Sequence, residues 1–226
     1  MPQAQMVNFP FGTQQRPGYL ARPDGEGPFP GVLVIHEIFG LNENVKDIAD
    51  RFAAEGYVAL AVDLFAERNR VICVFKVLRS QLFSPLENGN IQELKSALTY
   101  LGEQPGVDST HVGAIGFCMG GGLAIAWACT DNRLQAIAPY YGSNPRPLEA
   151  VKRSCPVVGS YPGKDFTAGA ARKLDAELTK NNVTHDIKIY PGALHSFFND
   201  KGKSYNAEAA HDSWGRVIAF FGEHLS

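Results

Sequence analysis

Cys118 is the residue of this sequence whose surroundings point most directly to chemistry. It is the central residue of segment 116–120, Gly-Phe-Cys-Met-Gly, which matches the G-x-S-x-G pattern of a nucleophile elbow with a thiol in place of the hydroxyl. The apolar run His111–Ile115 before it predicts a buried strand, and Gly121–Ala128 after it predicts a helix. A side chain on such a turn faces the positive end of a helix dipole. The pattern therefore predicts acyl transfer with Cys118 as the nucleophile.

Two further polar residues follow predicted strands and complete a set with Cys118. Asp165 lies in the loop after the predicted strand Pro156–Ser160, and His195 lies in the loop after His185–Tyr190. The chain order nucleophile, acid, histidine is that of α/β hydrolases. His195 would take the thiol proton and later protonate the leaving group or activate water. Asp165 would hold the imidazole in the required tautomer and stabilise its charged form.

The segment His36–Gly40, after the first long predicted strand, supplies a second chemical feature. Such a loop usually gives one backbone N–H to an oxyanion hole, and the residue after the nucleophile gives the other. We therefore expect the backbone N–H groups of Ile38 and Met119 to be the two donors. A carboxylate at Glu37 would either raise the pKa of a neighbouring thiol or accept its proton.

Strands alternate with helices along most of the chain, which predicts the fold class. An antiparallel pair is expected at Met6–Phe11 and Pro17–Arg22, and buried strands at Gly31–His36, Tyr57–Val62 and Leu134–Tyr140. Helices are expected at Asn42–Glu55, Ile91–Leu101, Ala168–Lys180 and Ala207–Glu223. This order predicts one α/β domain over residues 1–226, with a mostly parallel central sheet and helices on both faces.

Two segments fit that pattern less well. Residues 71–86 are apolar with interspersed charges and predict a helix or a small lid, and Asn144–Ser154 predicts a polar, Pro-containing connection. Ligands of such sheets bind at the carboxyl ends of the strands, where Glu37, Cys118, Asp165 and His195 are all predicted to lie.

The composition limits the classes of partner. The chain has 226 residues, a hydrophobic fraction of 45% and a formal net charge of −2, which gives no electrostatic basis for binding nucleic acid or an anionic membrane. No apolar run approaches the roughly 18 residues of a membrane span, and the first residues do not read as a signal peptide. Its four cysteines form neither a C-x-x-C pair nor a metal-ligand cluster. Free thiols in a reducing, cytoplasmic compartment are expected.

Five segments, taken together, resemble the dienelactone hydrolase family of the α/β-hydrolase superfamily. They are His36–Gly40, Val62–Ala66, Gly116–Gly121, Gly163–Asp165 and Gly192–Phe197. The resemblance implies an α/β-hydrolase fold and hydrolysis of an enol-lactone without a metal or organic cofactor. It also implies a catalytic triad of Cys118, His195 and Asp165. Glu37 resembles the family's glutamate, which accepts the thiol proton only when substrate binds.

The sequence departs from the family where the substrate carboxylate is held. Asn199 stands at the fourth position after His195, where the best-known members have one of two arginines. In those members the second arginine lies in the segment that follows the Asp63 strand. Residues 66–90 of this chain contain Arg68, Arg70 and Arg79, and none of the three can be matched to it. The resemblance therefore implies a related ester or lactone as substrate rather than dienelactone.

The sequence thus predicts a cysteine-dependent hydrolase of small carboxylic esters or lactones that acts through a thioester, with an activity like that of carboxymethylenebutenolidase. Two alternatives stay open: an acyltransferase on the same site, and a non-catalytic binding or redox-sensing protein on a hydrolase scaffold. The sequence does not decide between a monomer and a homodimer.

Overall fold

A computed structural model of the chain describes residues 3–66, 86 and 88–226. The helix or lid predicted at 71–86 lies outside the described residues, apart from Leu86. The three arginines of that segment, Arg68, Arg70 and Arg79, also lie outside them, as does Cys73.

The described residues form one sheet of eight strands, in the order β1-β2-β4-β3-β5-β6-β7-β8. The strands are β1 Gln3–Phe11, β2 Gln14–Arg22, β3 Phe29–Ile35, β4 Val58–Val62, β5 Val107–Phe117, β6 Leu134–Tyr140, β7 Val157–Pro162 and β8 His185–Tyr190. Strand β2 pairs antiparallel with β1 and β4, which confirms the predicted first pair, and the remaining pairs are parallel. The predicted α/β fold with a mostly parallel sheet is confirmed.

Helices cover both faces of this sheet. The α-helices are α1 Glu43–Ala54, α2 Gly89–Gly102, α3 Met119–Ala128, α4 Thr167–Lys180 and α5 Ala207–His224. Strand β3 points Leu33 and Ile35 into a core covered by α2, α3 and α4, and Val32 and Val34 into a second core covered by α1 and α5. Because both faces are buried, β3 is apolar without alternation, as the sequence indicated.

Local chemistry sets the ends of α1. The Asn42 side chain caps the helix by accepting a 3.1 Å hydrogen bond from the Val45 N–H. Gly56, at φ 92°, follows the last turn in the left-handed conformation that favours glycine. Within the predicted connection Asn144–Ser154, Leu148–Arg153 is a 3₁₀ helix that buries Ala150 and Val151.

The carboxyl ends of the parallel strands bring distant residues to one edge of the sheet. Glu37 follows β3, Cys118 follows β5, Asp165 follows β7 and His195 follows β8. Four segments far apart in sequence therefore contribute to one place. None of the helices within the described ranges is both long and apolar enough to span a bilayer.

Candidate active site

Cys118 occupies a strained turn between β5 and α3. Its backbone has φ 54° and ψ −113°, a conformation that costs a non-glycine residue about 1–3 kcal/mol. Its N–H donates a 3.0 Å hydrogen bond to the Tyr140 carbonyl, which anchors the turn to β6. A Cβ on Gly120 would overlap the Ile35 carbonyl, so the second glycine of the motif lets α3 approach β3.

The surroundings of Cys118 keep its thiol protonated. Burial raises the pKa of the Cys118 thiol to about 12, and the negative charges of Glu37 and Asp165 act in the same direction. A hydrogen bond with the Met119 backbone N–H opposes this increase in the pKa. At neutral pH the side chain is therefore a thiol, and a base must remove its proton before the sulfur can act as a thiolate.

His195 and Asp165 form a close pair at the same edge of the sheet. The distance between His195 Nδ1 and Asp165 Oδ2 is 2.6 Å. Because the carboxylate can only accept, Nδ1 carries the proton and Nε2 is left as the acceptor of the neutral ring. Within the described ranges, no hydrogen bond joins the Cys118 thiol to His195, and in enzymes without bound substrate such catalytic contacts are often long.

The Asp165 carboxylate is fixed by two further donors. The Thr167 hydroxyl donates a 2.7 Å hydrogen bond to Oδ2, the oxygen that also faces His195. The Phe166 N–H donates a 2.6 Å hydrogen bond to Oδ1. The Asp165 side chain is 5% exposed, so these contacts replace most of its hydration and restrict its orientation toward the imidazole.

Glu37 lies between the Cys118 turn and the His195 loop. Its side chain is buried, and Oε1 accepts a 2.7 Å hydrogen bond from the Ser196 hydroxyl. The buried Tyr141 hydroxyl also hydrogen-bonds Glu37. The pKa of Tyr141 is raised well above its usual value, mainly by burial and then by the Glu37 charge and this hydrogen bond. Two neutral donors thus hold the carboxylate whose charge acts on Cys118.

His36 fixes the loop that carries Glu37. The imidazole is fully buried, with Nδ1 2.5 Å from the Glu37 carbonyl and Nε2 3.1 Å from the Leu64 nitrogen. Because the Leu64 N–H must donate, Nε2 is an acceptor and Nδ1 donates to the carbonyl. A neutral His36 therefore links the loop after β3 to the loop after β4.

Aromatic rings flank His195 on two sides. The Phe166 ring stacks on the imidazole with centroids 5.5 Å apart and planes 16° apart, and the Tyr141 ring lies at 4.9 Å with planes 56° apart. Tyr141 is buried, whereas Phe166 is 81% exposed. One side of the imidazole therefore faces the protein interior, and the other carries an apolar ring that is open to solvent.

The predicted oxyanion donors lie beside these groups. Ile38 directly follows Glu37, and Met119 is the first residue of α3, where its N–H faces the Cys118 thiol. Asn199, the residue in place of an arginine, has its Oδ1 bound to the Lys201 N–H at 3.0 Å. The Asn199 side chain therefore stabilises its own turn.

Sequence reasoning assigned no role to four residues that contact this site. Tyr141 could have been suspected, because it directly follows β6 at the same sheet edge. Ser196 and His36 lie inside segments that carried the family resemblance, but no pattern named their partners. Thr167 had no signal beyond its position two residues after Asp165.

The described residues include no group of three or more His, Cys, Asp or Glu side chains arranged to hold a metal ion. The reactive groups of this site are a partly buried thiol, an imidazole paired with a carboxylate, and a second carboxylate held by hydroxyl groups.

Comparison with known proteins assigns the family. The model of the dienelactone hydrolase family matches residues 17–225. The chain belongs to the dienelactone hydrolase family. The resemblance inferred from the sequence motifs is thus confirmed, and this member of the family is a hydrolase of the ester or lactone type.

Individual relatives agree with this assignment. A protein of Saccharolobus solfataricus, named provisionally as a carboxymethylenebutenolidase, is 39% identical over 89% of this chain and 91% of its own length. Among solved structures, a provisionally assigned dienelactone hydrolase of Klebsiella pneumoniae has a TM-score of 0.87 at 29% identity, covering 99% of both chains. The dienelactone hydrolase-like promiscuous phosphotriesterase P91, from metagenomic libraries, also has a TM-score of 0.87, at 26% identity, covering 100% of this chain and 99% of its own.

Proposed function

We propose that this family member hydrolyses small carboxylic esters or lactones through a thioester formed on Cys118. The observation that carries the proposal is the 2.6 Å hydrogen bond between His195 and Asp165, at the sheet edge where Cys118 occupies its strained turn. Membership of the dienelactone hydrolase family supports the substrate class. A thiol, an imidazole and an orienting carboxylate supply the groups that covalent acyl transfer needs.

The first half of the reaction forms the thioester. Among the neighbouring charges, Glu37 has the larger effect on the Cys118 thiol, and we assign it as the acceptor of the thiol proton. The sulfur then bonds to the carbonyl carbon, and the Ile38 and Met119 N–H groups stabilise the oxyanion. When the ester C–O bond breaks, the leaving oxygen takes up the proton that Glu37 received.

The second half of the reaction releases the acid. His195 Nε2 takes a proton from water, and the water oxygen bonds to the thioester carbon. The C–S bond then breaks, and the sulfur takes its proton back from His195. Asp165 stabilises the imidazolium that exists between these two transfers, through the hydrogen bond at Nδ1. The enzyme returns to a protonated thiol and a neutral imidazole.

A pair of cysteine variants tests the nucleophile. Cys118→Ala should lower kcat/KM for 4-nitrophenyl acetate and dihydrocoumarin by about a thousandfold or more, since removing a nucleophile leaves only binding and oxyanion stabilisation. Cys129→Ala is the matched control, because Cys129 is also a free cysteine whose thiol pKa is raised to about 12 by burial, but it lies at the end of α3. Activity of Cys118→Ala within tenfold of the wild type would refute the proposed mechanism.

Trapping the intermediate tests the thioester itself. Acid quench during turnover of 4-nitrophenyl acetate, followed by peptide mass spectrometry, should give an acetyl group on Cys118 that hydroxylamine removes. Turnover in the presence of added methanol then separates hydrolysis from acyl transfer. If methyl acetate were formed in large excess over acetate at low methanol concentration, the protein would be an acyltransferase.

A further inference from the structure

A groove next to His195 has no assigned role in the reaction. Its volume is about 800 Å³, within the usual range of small-molecule sites. The loop after β6 forms one wall, and the first two turns of α4 form the other. The residues that matter for its chemistry are Asn144, Arg146, Leu148, Phe166, Ala170 and Lys173. We call it the Arg146–Lys173 groove.

The groove adjoins the catalytic histidine proposed above through Phe166. Phe166 forms part of its wall and stacks on the His195 ring with centroids 5.5 Å apart. Along α4, Ala170 and Lys173 are four and seven residues beyond Phe166, so the three share one helix face. At 1.5 Å per residue, Lys173 lies about 10 Å along the helix from the residue that contacts His195.

The groove combines apolar walls with two cations. Phe166 is 81% exposed, which is unusual for a large apolar side chain and leaves its ring open to a ligand. Arg146 and Lys173 are both exposed, and within the described ranges no ion pair joins either of them to a carboxylate. No Asp or Glu is among the described residues that line the groove. The nearby Asp165 is occupied by His195, Thr167 and the Phe166 N–H.

The two walls are tied together without a ligand. The Asn144 side chain donates a 2.9 Å hydrogen bond from Nδ2 to the Ala170 carbonyl, which joins the loop after β6 to α4. Leu148 packs against the core beneath the loop. The shape of the groove is therefore set before binding, which reduces the entropy lost when a ligand is ordered in it.

We propose that the Arg146–Lys173 groove binds the far end of the substrate, and that this end is an apolar chain or ring that carries an anionic group. This inference rests on the proposed function of the neighbouring site. An anion at Lys173 would be about 10 Å from the histidine end of the groove, too far for a group attached directly to a small lactone ring. The preferred substrate is accordingly an elongated ester with a remote carboxylate.

Matched esters test this specificity. Mono-4-nitrophenyl suberate carries a carboxylate at the far end of its acyl chain, and 4-nitrophenyl methyl suberate carries a neutral ester there. For the wild type at low salt, the ratio of kcat/KM for the anionic ester to that for the neutral ester should be about ten, since two ion pairs with exposed cations together contribute at most about this much. The ratio should fall in 0.5 M NaCl, because salt screens exposed charges.

Variants assign the preference to the groove. Arg146→Gln and Lys173→Gln should each lower the ratio by about threefold, and the double variant should bring it close to one. Lys152→Gln is the control, since Lys152 is an exposed lysine on the 3₁₀ helix outside the groove. Both values of kcat/KM are measured on the same preparation of each variant, so their ratio does not depend on the fraction of the protein that is folded. A wild-type ratio near one, or an equal decrease in Lys152→Gln, would overturn the inference.

Binding without turnover separates this inference from the proposed function. Isothermal titration calorimetry with 4-phenylbutyrate, an unreactive apolar anion, should detect binding to the wild type that is at least threefold weaker in the double variant. If that difference were seen while Cys118→Ala remained active, the groove would stand and the proposed nucleophile would fail. If Cys118→Ala were inactive and 4-phenylbutyrate bound equally to both proteins, the groove assignment would fail alone.

Discussion

The hydroxyl of Ser196 donates a 2.7 Å hydrogen bond to Glu37, joining two loops whose residues are 159 positions apart in sequence. Ser196 directly follows His195, and Glu37 is the carboxylate that acts on the Cys118 thiol. The base proposed for the first half of the reaction is thus attached to the loop that carries the base proposed for the second half. A displacement of either loop would affect both.

Replacing Glu37 should have opposite effects on thiol reactivity and on turnover. Because the Glu37 charge raises the pKa of Cys118, Glu37→Gln should lower that pKa and speed alkylation of Cys118 by iodoacetamide at pH 8 severalfold. Ester turnover should fall, since the proposed proton acceptor is lost. Glu55→Gln, on the exposed end of α1, is the control. Slower alkylation in Glu37→Gln would contradict the assigned electrostatic role.

The pH dependence of alkylation tests the high pKa of the thiol. Only the thiolate reacts, and the pKa of Cys118 is about 12, so the wild-type rate should rise about tenfold per pH unit from pH 7 to pH 10. The rate is measured by quenching the iodoacetamide reaction at timed intervals and quantifying the alkylated Cys118 peptide by mass spectrometry at each pH. A plateau below pH 9 would show that the thiol ionises far more readily than its burial indicates.

Removing the Thr167 hydroxyl should impair the orientation of Asp165. Thr167→Val keeps the shape of this buried side chain but removes the 2.7 Å hydrogen bond to Oδ2. We expect kcat to fall about threefold to tenfold with little change in KM, and Thr167→Ser to restore most of it because the donor returns. Steady-state kinetics of the two variants are the measurement. If Thr167→Val kept the wild-type kcat, the hydroxyl would not be what orients Asp165.

His36 should be required for both folding stability and activity. His36→Phe fills the space but leaves the Leu64 N–H without its partner, while the Glu37 carbonyl keeps only the 3.3 Å hydrogen bond from the Gly40 N–H. Since a buried polar group left unpaired costs about 1–3 kcal/mol, the free energy of unfolding should fall by about that amount. Urea unfolding measures this loss. The kcat of the variant is then measured without urea, where the variant is folded. A kcat equal to that of the wild type would exclude a role of His36 in positioning Glu37.

The ion pair between Arg16 and Glu93 should stabilise the fold far from the site. Arg16 Nε lies 3.2 Å from Glu93 Oε1, and the Arg16 and Glu93 side chains are 6% and 2% exposed. Glu93→Gln leaves a buried guanidinium without its counter-charge and should lower the free energy of unfolding by about 3–5 kcal/mol. Glu177→Gln, which breaks the more exposed pair with Lys180, should lower the free energy of unfolding much less, because water screens such a pair. Equal losses in urea unfolding would contradict the argument from burial.

Much of the fold could be predicted because its signals are local. The two strands Leu134–Tyr140 and His185–Tyr190 have the predicted bounds, since each is a short run between turn residues. The rule that polar residues at strand ends share a site needed only the order of the elements. Both kinds of inference depend on patterns of a few neighbouring residues.

The hydrogen-bond partners within the site could not be predicted in this way. The contact between Glu37 and Ser196 depends on the stagger of strands that are far apart in sequence, and no local pattern encodes it. The same holds for Asp165 and His195, where the sequence suggested the residues but not the nitrogen that faces the carboxylate. The 3₁₀ helix at Leu148–Arg153 was missed because its stability comes from burying Ala150 and Val151 rather than from a helical repeat.

The left-handed backbone of Cys118 has a consequence for how this protein could evolve or be engineered. A glycine adopts φ 54° without strain, so Cys118→Gly should fold more stably than the wild type while lacking the sulfur. Selection for thermal resistance alone would therefore favour loss of the thiol. A screen for thermally stable variants of this protein must therefore also select for ester turnover, because otherwise it will recover inactive variants.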